Sequence, residues 1–197
     1  HVKRHSFPTR RSSDLPPDAV TAVAAPTVAS AQELMRHPGV RLLAVTGGPG
    51  VVQAAMQSGK RAVCAGPGNP PVVVDETADP AAAARDIVAG ASLDNNIICV
   101  DEKEVFVVQS AADALLRELS RTGAHLASDA ERRRLEATIF TETRGPGRPA
   151  TITKELIGKD AAEILVRSGL PRVETPLIVL EVPADHPLVW TEQLLPV

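Results

Sequence analysis

One stretch narrows the fold more than any other: VRLLAVT at residues 40–46, then GGPG, VVQAAMQSGK and RAVCAG, ending at residue 66. A short apolar run meets a glycine-rich turn, a helical segment with Val52, Ala55 and Met56 on one face, and a second apolar run. Such a β-turn-α-β unit sets its two strands parallel, because a crossover helix returns the chain to the starting end of the sheet. The alternation continues downstream. PPVVVDET (70–77) reads as extended, and Asp79 caps a helix whose first residue is Pro80 and which runs on through AAAARDIVAGAS. EVFVVQ (104–109) and PLIVLEV (176–182) read as strands, and KDAAEILVRSG (159–169) as a helix closed by Gly169. Ser110 with Asp113, and Ser128 with Glu131, have the spacing of capping boxes, and RGPGRP (144–149) reads as a loop. There is no internal repeat, and the fold class is α/β.

Composition says what fills the core. The 197 residues are 44% hydrophobic but only 2% aromatic, with no Tyr, so Ala, Val, Leu and Ile must do the packing. A net charge of -3 gives no basis for nucleic acid or an anionic membrane as partner. No apolar run approaches the ~18 residues of a membrane span. Two cysteines without a pairing pattern suit a reducing cytoplasm, and five His and two Cys show no metal-ligand spacing. HVKRHSFPTRRSSDL (1–15) is basic and unpatterned where the following chain is Ala- and Val-rich, and it reads as a non-native scar. The Gly/Pro cluster AGPGNPP (65–71) reads as a junction between 16–65 and 66–197. The apolar ending at Val197 reads as that of a fragment.

Two features carry candidate chemistry. In TGGPGVV the glycines between strand and helix let an anion or cofactor approach free N–H groups at the helix start, although such turns are also purely structural. Cys99, in ASLDNNIICVDEKEV, follows two asparagines on the connection between a helix and a strand. A lone cysteine is commonly a small buried hydrophobe. On a loop facing a substrate it can instead be a nucleophile that forms a thioester. Cys64, inside a strand, fits the filler role.

TGGPGVVQAAMQSGKRA, GPGNPPVVVDETADPAAAARDIVAGASLDNNIICVDEKEV and DHPLVWTEQLLPV occur in an order that resembles the aldehyde dehydrogenase superfamily. More closely, they are similar to its CoA-acylating acetaldehyde/propionaldehyde branch of the ethanolamine and propanediol pathways, across residues 16–197. The resemblance implies the C-terminal part of a Rossmann-like NAD-binding domain over 16–65 and an incomplete α/β catalytic domain over 66–197. It places Cys99 at the catalytic cysteine, whose thiolate attacks an aldehyde. Thr46, Gly47 and Gly48 fall at the turn beside the nicotinamide, and Glu192 at the carboxylate that binds its ribose hydroxyls. Leu194 stands where hydrolytic relatives carry an aromatic residue against the cofactor, and Leu195 where they carry Gly.

The resemblance also concerns Cys64. Hydrolytic relatives place a water-activating Glu at this position, and a thiol of ordinary pKa (~8.5) is a poor general base. Acyl transfer to CoA is therefore expected over hydrolysis. The implied reaction converts a short-chain aldehyde, NAD and CoA to acyl-CoA and NADH. The implied complete protein is a homo-oligomer of the cytoplasm or of a bacterial microcompartment lumen. Two rivals remain: a semialdehyde dehydrogenase that reduces an acyl phosphate, and a fragment with the fold but no activity. The 197 residues alone are expected to be inactive. His186, Arg144, Arg148 and Lys60 are weaker candidates, each accounted for by local structure.

Overall fold

The computed structural model describes residues 2–3, 16 and 19–197. The reading of residues 1–15 as a scar thus lies largely outside the described residues. The chain divides into two compact units, His1–Pro67 and Gly68–Val197.

In the first unit a two-residue strand β1 (Val2–Lys3) pairs antiparallel with β2 (Ala22–Val23). Helix α1 (Val28–Arg36) starts at a capping box in which Thr27 and Ser30 each satisfy the other's backbone N–H. β3 (Leu42–Thr46), α2 (Pro49–Met56) and β4 (Arg61–Ala65) form the expected unit, with β3 and β4 parallel from Leu42↔Arg61 to Thr46↔Ala65. Its small core is Met35, Leu43 and Ala55, with Cys64 packed on the margin. The three-residue face expected on α2 holds only in part. Ala55 is fully buried, whereas Met56, the last helical residue, points into solvent.

In the second unit β5 (Pro71–Val74) and β6 (Glu104–Val107) pair in parallel. Helix α3 (Pro80–Ala91) joins them, and Asp79 caps it by accepting from Ala81 N at 3.0 Å, as its sequence requires. α4 (Gln109–Arg121) packs on α3, and a core of Val74, Ala84, Ile87, Val88, Leu115, Leu119 and Leu177 closes between them and the strands. β7 (His125–Leu126) pairs in parallel with β10 (Ile178–Val179), and β8 (Phe140–Glu142) antiparallel with β9 (Thr151–Ile152). Helices α5 (Asp129–Ile139) and α6 (Ala161–Arg167) bury Leu135, Ile139, Ile164 and Leu165 against Ile178, Leu188 and Leu195. That second core holds the C-terminal segment in place.

Two expectations fail. The Ser110–Asp113 capping box does not form, because α4 begins two residues earlier than such a box would start it, at Gln109, with Val108 as an uncapped boundary. The apolar run 176–182 forms only the short strand β10, since pairing with β7 covers just Ile178 and Val179. Ser128, by contrast, does cap α5: Glu131 N donates to its Oγ at 3.4 Å, and Ser128 N donates to Glu131 Oε2 at 2.7 Å. The two serines therefore make a controlled pair. Ser128→Ala is expected to lower the unfolding free energy by about 1 kcal/mol, and Ser110→Ala to change it by less than about 0.5 kcal/mol, in denaturant titrations.

Candidate active site

The site is built on the connection from α3 to β6. After α3 the chain makes a 3-10 turn at Leu93–Asn96 and then presents Cys99 as an exposed turn residue. Asp94, Asn95 and Asn96 all adopt left-handed backbone, with φ of 46°, 55° and 57°. Asn and Asp tolerate that region better than other side chains because they can bond locally. Their side chains then hold the turn. Asn96, almost wholly buried, donates from Nδ2 to Ala91 O at 2.7 Å and to Glu102 O at 2.9 Å, tying the end of α3 to the lead-in of β6. Asn95 Nδ2 donates to Gly158 O at 3.0 Å and Asp160 Oδ1 at 2.9 Å.

Gly158 links the turn to the other candidate segment. Its N–H donates to Leu194 O at 3.1 Å while its carbonyl accepts from Asn95. Its φ is +70°, and a Cβ there would approach Ile97 Cδ1 to 3.1 Å, so a side chain would meet both strain and crowding. Leu194 itself has φ of 53°, a conformation rare for a branched residue and one that marks stored backbone strain. Glu192 lies half-buried between buried Thr191 and Gln193, and its carboxylate takes no hydrogen bond from any described residue. Asn69 braces the preceding loop, its two Nδ2 protons shared among Leu188 O, Val189 O and Thr191 O at 2.9–3.2 Å.

Electrostatics converge on Lys103, which precedes β6. Burial pushes its ammonium below the ordinary lysine value, and negative charge on Asp101, Glu192, Cys99 and Glu102 acts to pull it back up. Cys99, Glu192 and Leu194 are thus brought to one region of the second unit. Thr46, Gly47 and Gly48 belong to the first. Thr46 ends β3, and Gly47 donates to Ala65 O at 3.1 Å. A Cβ on Gly47 would sit 2.6 Å from Val51 Cγ1, so a side chain there would force Val51 to shift. Gly48 is the N-cap of α2, with no side chain capping the helix N–H groups. Cys64 lies in β4 opposite Val45, half-buried, as a filler residue would.

Of the weaker candidates, His186, Lys60 and Arg144 make structural contacts, and Arg148 is exposed. His186 Nδ1 accepts from Leu188 N at 3.2 Å, so its proton is on Nε2, which donates to Glu136 at 3.1 Å. Lys60 donates to His37 O at 2.9 Å, a bond across the first unit rather than a response to the helix dipole, and Arg144 pairs with Glu142 at 3.4 Å. Sequence reasoning missed Asn69, Asn95, Lys103 and Gly158. Asn95 is visible beside Cys99, but its contacts with residues 63 and 65 positions away leave no local pattern.

The profile of the aldehyde dehydrogenase family matches residues 9–197, beginning inside the stretch that reads as foreign. The chain is 44% identical over 186 residues to an acetaldehyde dehydrogenase (acetylating), EutE, of Salmonella typhimurium, covering 92% of this chain and 39% of that protein. A propionaldehyde dehydrogenase from the Clostridium phytofermentans fucose utilisation bacterial microcompartment superposes with a TM-score of 0.79 at 36% identity, over 88% of this chain and 39% of that one. The Rhodopseudomonas palustris propionaldehyde dehydrogenase, solved with bound CoA and an acylated cysteine, gives 0.76 at 40% identity, over 87% and 38%. The chain thus spans about two fifths of the length of these proteins. Among the described residues no helix is long and apolar enough to cross a membrane.

Next to Lys103, Glu104 generates a pH prediction. Its Oε1 is shut off from solvent without a donor, and burial raises its carboxyl above the ordinary value, partly offset by the Asn69 side chain. The native state therefore holds this proton more tightly than the unfolded chain does. Stability from the group is complete below the ordinary carboxylate pKa and falls as pH rises through the raised one. Glu104→Gln cannot ionise, so its melting temperature relative to the unsubstituted chain should increase between about pH 4 and about pH 7. A difference independent of pH would contradict this role for Glu104.

Proposed function

The chain belongs to the aldehyde dehydrogenase family, and from that premise we propose that it is part of a CoA-acylating dehydrogenase of short-chain aldehydes, with Cys99 as the nucleophile. The observation that carries this reading is an exposed cysteine on a left-handed Asp-Asn-Asn turn, bonded through Gly158 to the Glu192–Leu194 segment. The relatives point the same way, one being acetylating and another having been solved with CoA and an acylated cysteine.

The residues present fit a nicotinamide dinucleotide. The Glu192 carboxylate has acceptor oxygens without protein partners among the described residues, suited to two vicinal ribose hydroxyls. The Thr46–Gly48 turn leads into a helix whose first N–H groups lack a side-chain cap. In this reading 16–65 closes the NAD-binding domain, 66–197 begins the catalytic one, and Leu194 lies against the cofactor. When bound, the nicotinamide supplies the acceptor for the hydride.

Cys99 thiolate attacks the aldehyde carbonyl carbon, forming a C–S bond while the π electrons move to oxygen. The Cys99 backbone N–H supports that oxyanion. Loss of the C–H bond with its electron pair leaves a thioester on Cys99. CoA thiolate then attacks the acyl carbon, and the Cys99 thiolate departs. Cys64, at the position of the water-activating glutamate, offers no base, which favours CoA over water. Residence in a microcompartment is part of the same proposal, supported by the origin of the Clostridium relative, and homo-oligomerisation of the complete protein is proposed with it on the family resemblance alone.

The test uses the whole reading frame that contains these residues, with propanal, NAD and CoA. Cys99→Ser should lower NADH formation by roughly 10³-fold or more, the usual consequence of removing a covalent nucleophile. Cys64→Ser should retain activity. NADH formation that proceeds with inorganic phosphate in place of CoA would favour the acyl-phosphate rival, and an active Cys99→Ser would remove the cysteine from the mechanism.

A further inference from the structure

The turn that presents Cys99 has one more support, from a residue that the proposed chemistry does not use. Lys103 Nζ donates to Asn96 O at 3.1 Å, to Ile98 O at 3.2 Å and to Asn96 Oδ1. An ammonium has three protons, and all three go to the four-residue stretch that ends at the cysteine. The Lys103 backbone is itself fixed, its N–H donating to Pro70 O at 3.0 Å just before β5. Asn96 has already given its amide protons to Ala91 O and Glu102 O, so its own oxygens need a donor from elsewhere. Lys103 supplies it. The half-buried ammonium faces four groups that are negative when ionised: Asp101, Glu192, Cys99 and Glu102.

We infer that Lys103 is the positioning residue of the nucleophile turn, holding Asn96 and Ile98 so that Cys99 faces outward. The inference rests on the reading of Cys99 as nucleophile. The clamp depends on three donors converging on one small site, which a planar guanidinium cannot reproduce.

The experiment places Lys103→Gln, Lys103→Met and Lys103→Arg in the whole reading frame. Two quantities are read: amide exchange across residues 94–100, and kcat and KM for CoA-dependent NADH formation from propanal. All three variants should exchange 94–100 about tenfold faster than the unsubstituted protein and lower kcat about tenfold with the KM for CoA within about twofold, because a loosened turn misplaces the nucleophile without touching the co-substrate. Melting temperatures identify any variant that has lost its fold, and only the folded variants are then compared. If only Lys103→Arg folds, fast exchange at 94–100 with a lowered kcat supports the assignment. Unchanged exchange in Lys103→Arg, or a kcat within about twofold of the unsubstituted protein in a folded variant, overturns it. Failure of the proposed function looks different: Cys99→Ser would then keep CoA-dependent NADH formation whatever the Lys103 variants do.

Discussion

Three consecutive residues in left-handed backbone, Asp94, Asn95 and Asn96, are the constraint on which the candidate site depends. They end the run of α3, reverse the chain and bring Cys99 to the surface before β6 begins. Each such residue is disfavoured by roughly 1–2 kcal/mol relative to right-handed backbone, less for Asn and Asp. The turn therefore survives only because its polar groups are satisfied from outside: Asn96 by Lys103, Asn95 by Gly158 and Asp160. An unpartnered turn of this kind would relax, and the cysteine would have no fixed direction.

The same bonds bind the turn to the second candidate segment. Gly158 lies between Asn95 and Leu194, so a shift in either is felt by the other. Asn69, at the head of the second unit, holds three carbonyls of the loop that leads to Glu192. The site is thus a set of irregular segments pinned to two apolar cores, one under α3 and α4 and one under α5 and α6. Rigid cores with strained connections are a common way to hold reacting groups.

Much of this is legible in the sequence where the signals are local. The glycine-rich turn between two apolar runs specifies the parallel β3–β4 pair, and Asp79-Pro80 and Ser128–Glu131 specify helix starts. Ser110–Asp113 misleads because capping spacing recurs inside an amphipathic helix without marking its end, and α4 has already begun at Gln109. The sequence places Cys99 on its loop, and resemblance ties residues 185–197 to it. The supports are not legible. Lys103 reads as one charge in a mixed run, Asn69 as part of a Gly/Pro junction, and Gly158 as an ordinary helix approach. The roles of Asn69 and Gly158 come from contacts across the tertiary fold, and that of Lys103 from a turn that folds back over five to seven residues, a spacing that no helix or strand pattern marks.

The central claim is that Cys99 carries the acyl group. It is tested most directly by incubating the whole reading frame with propionyl-CoA in the absence of nicotinamide and mapping the adduct by peptide mass spectrometry. One propionyl group is expected, labile to hydroxylamine as a thioester is, on the peptide that contains Cys99. An adduct confined to Cys64, or the same adduct yield in Cys99→Ser, would contradict it.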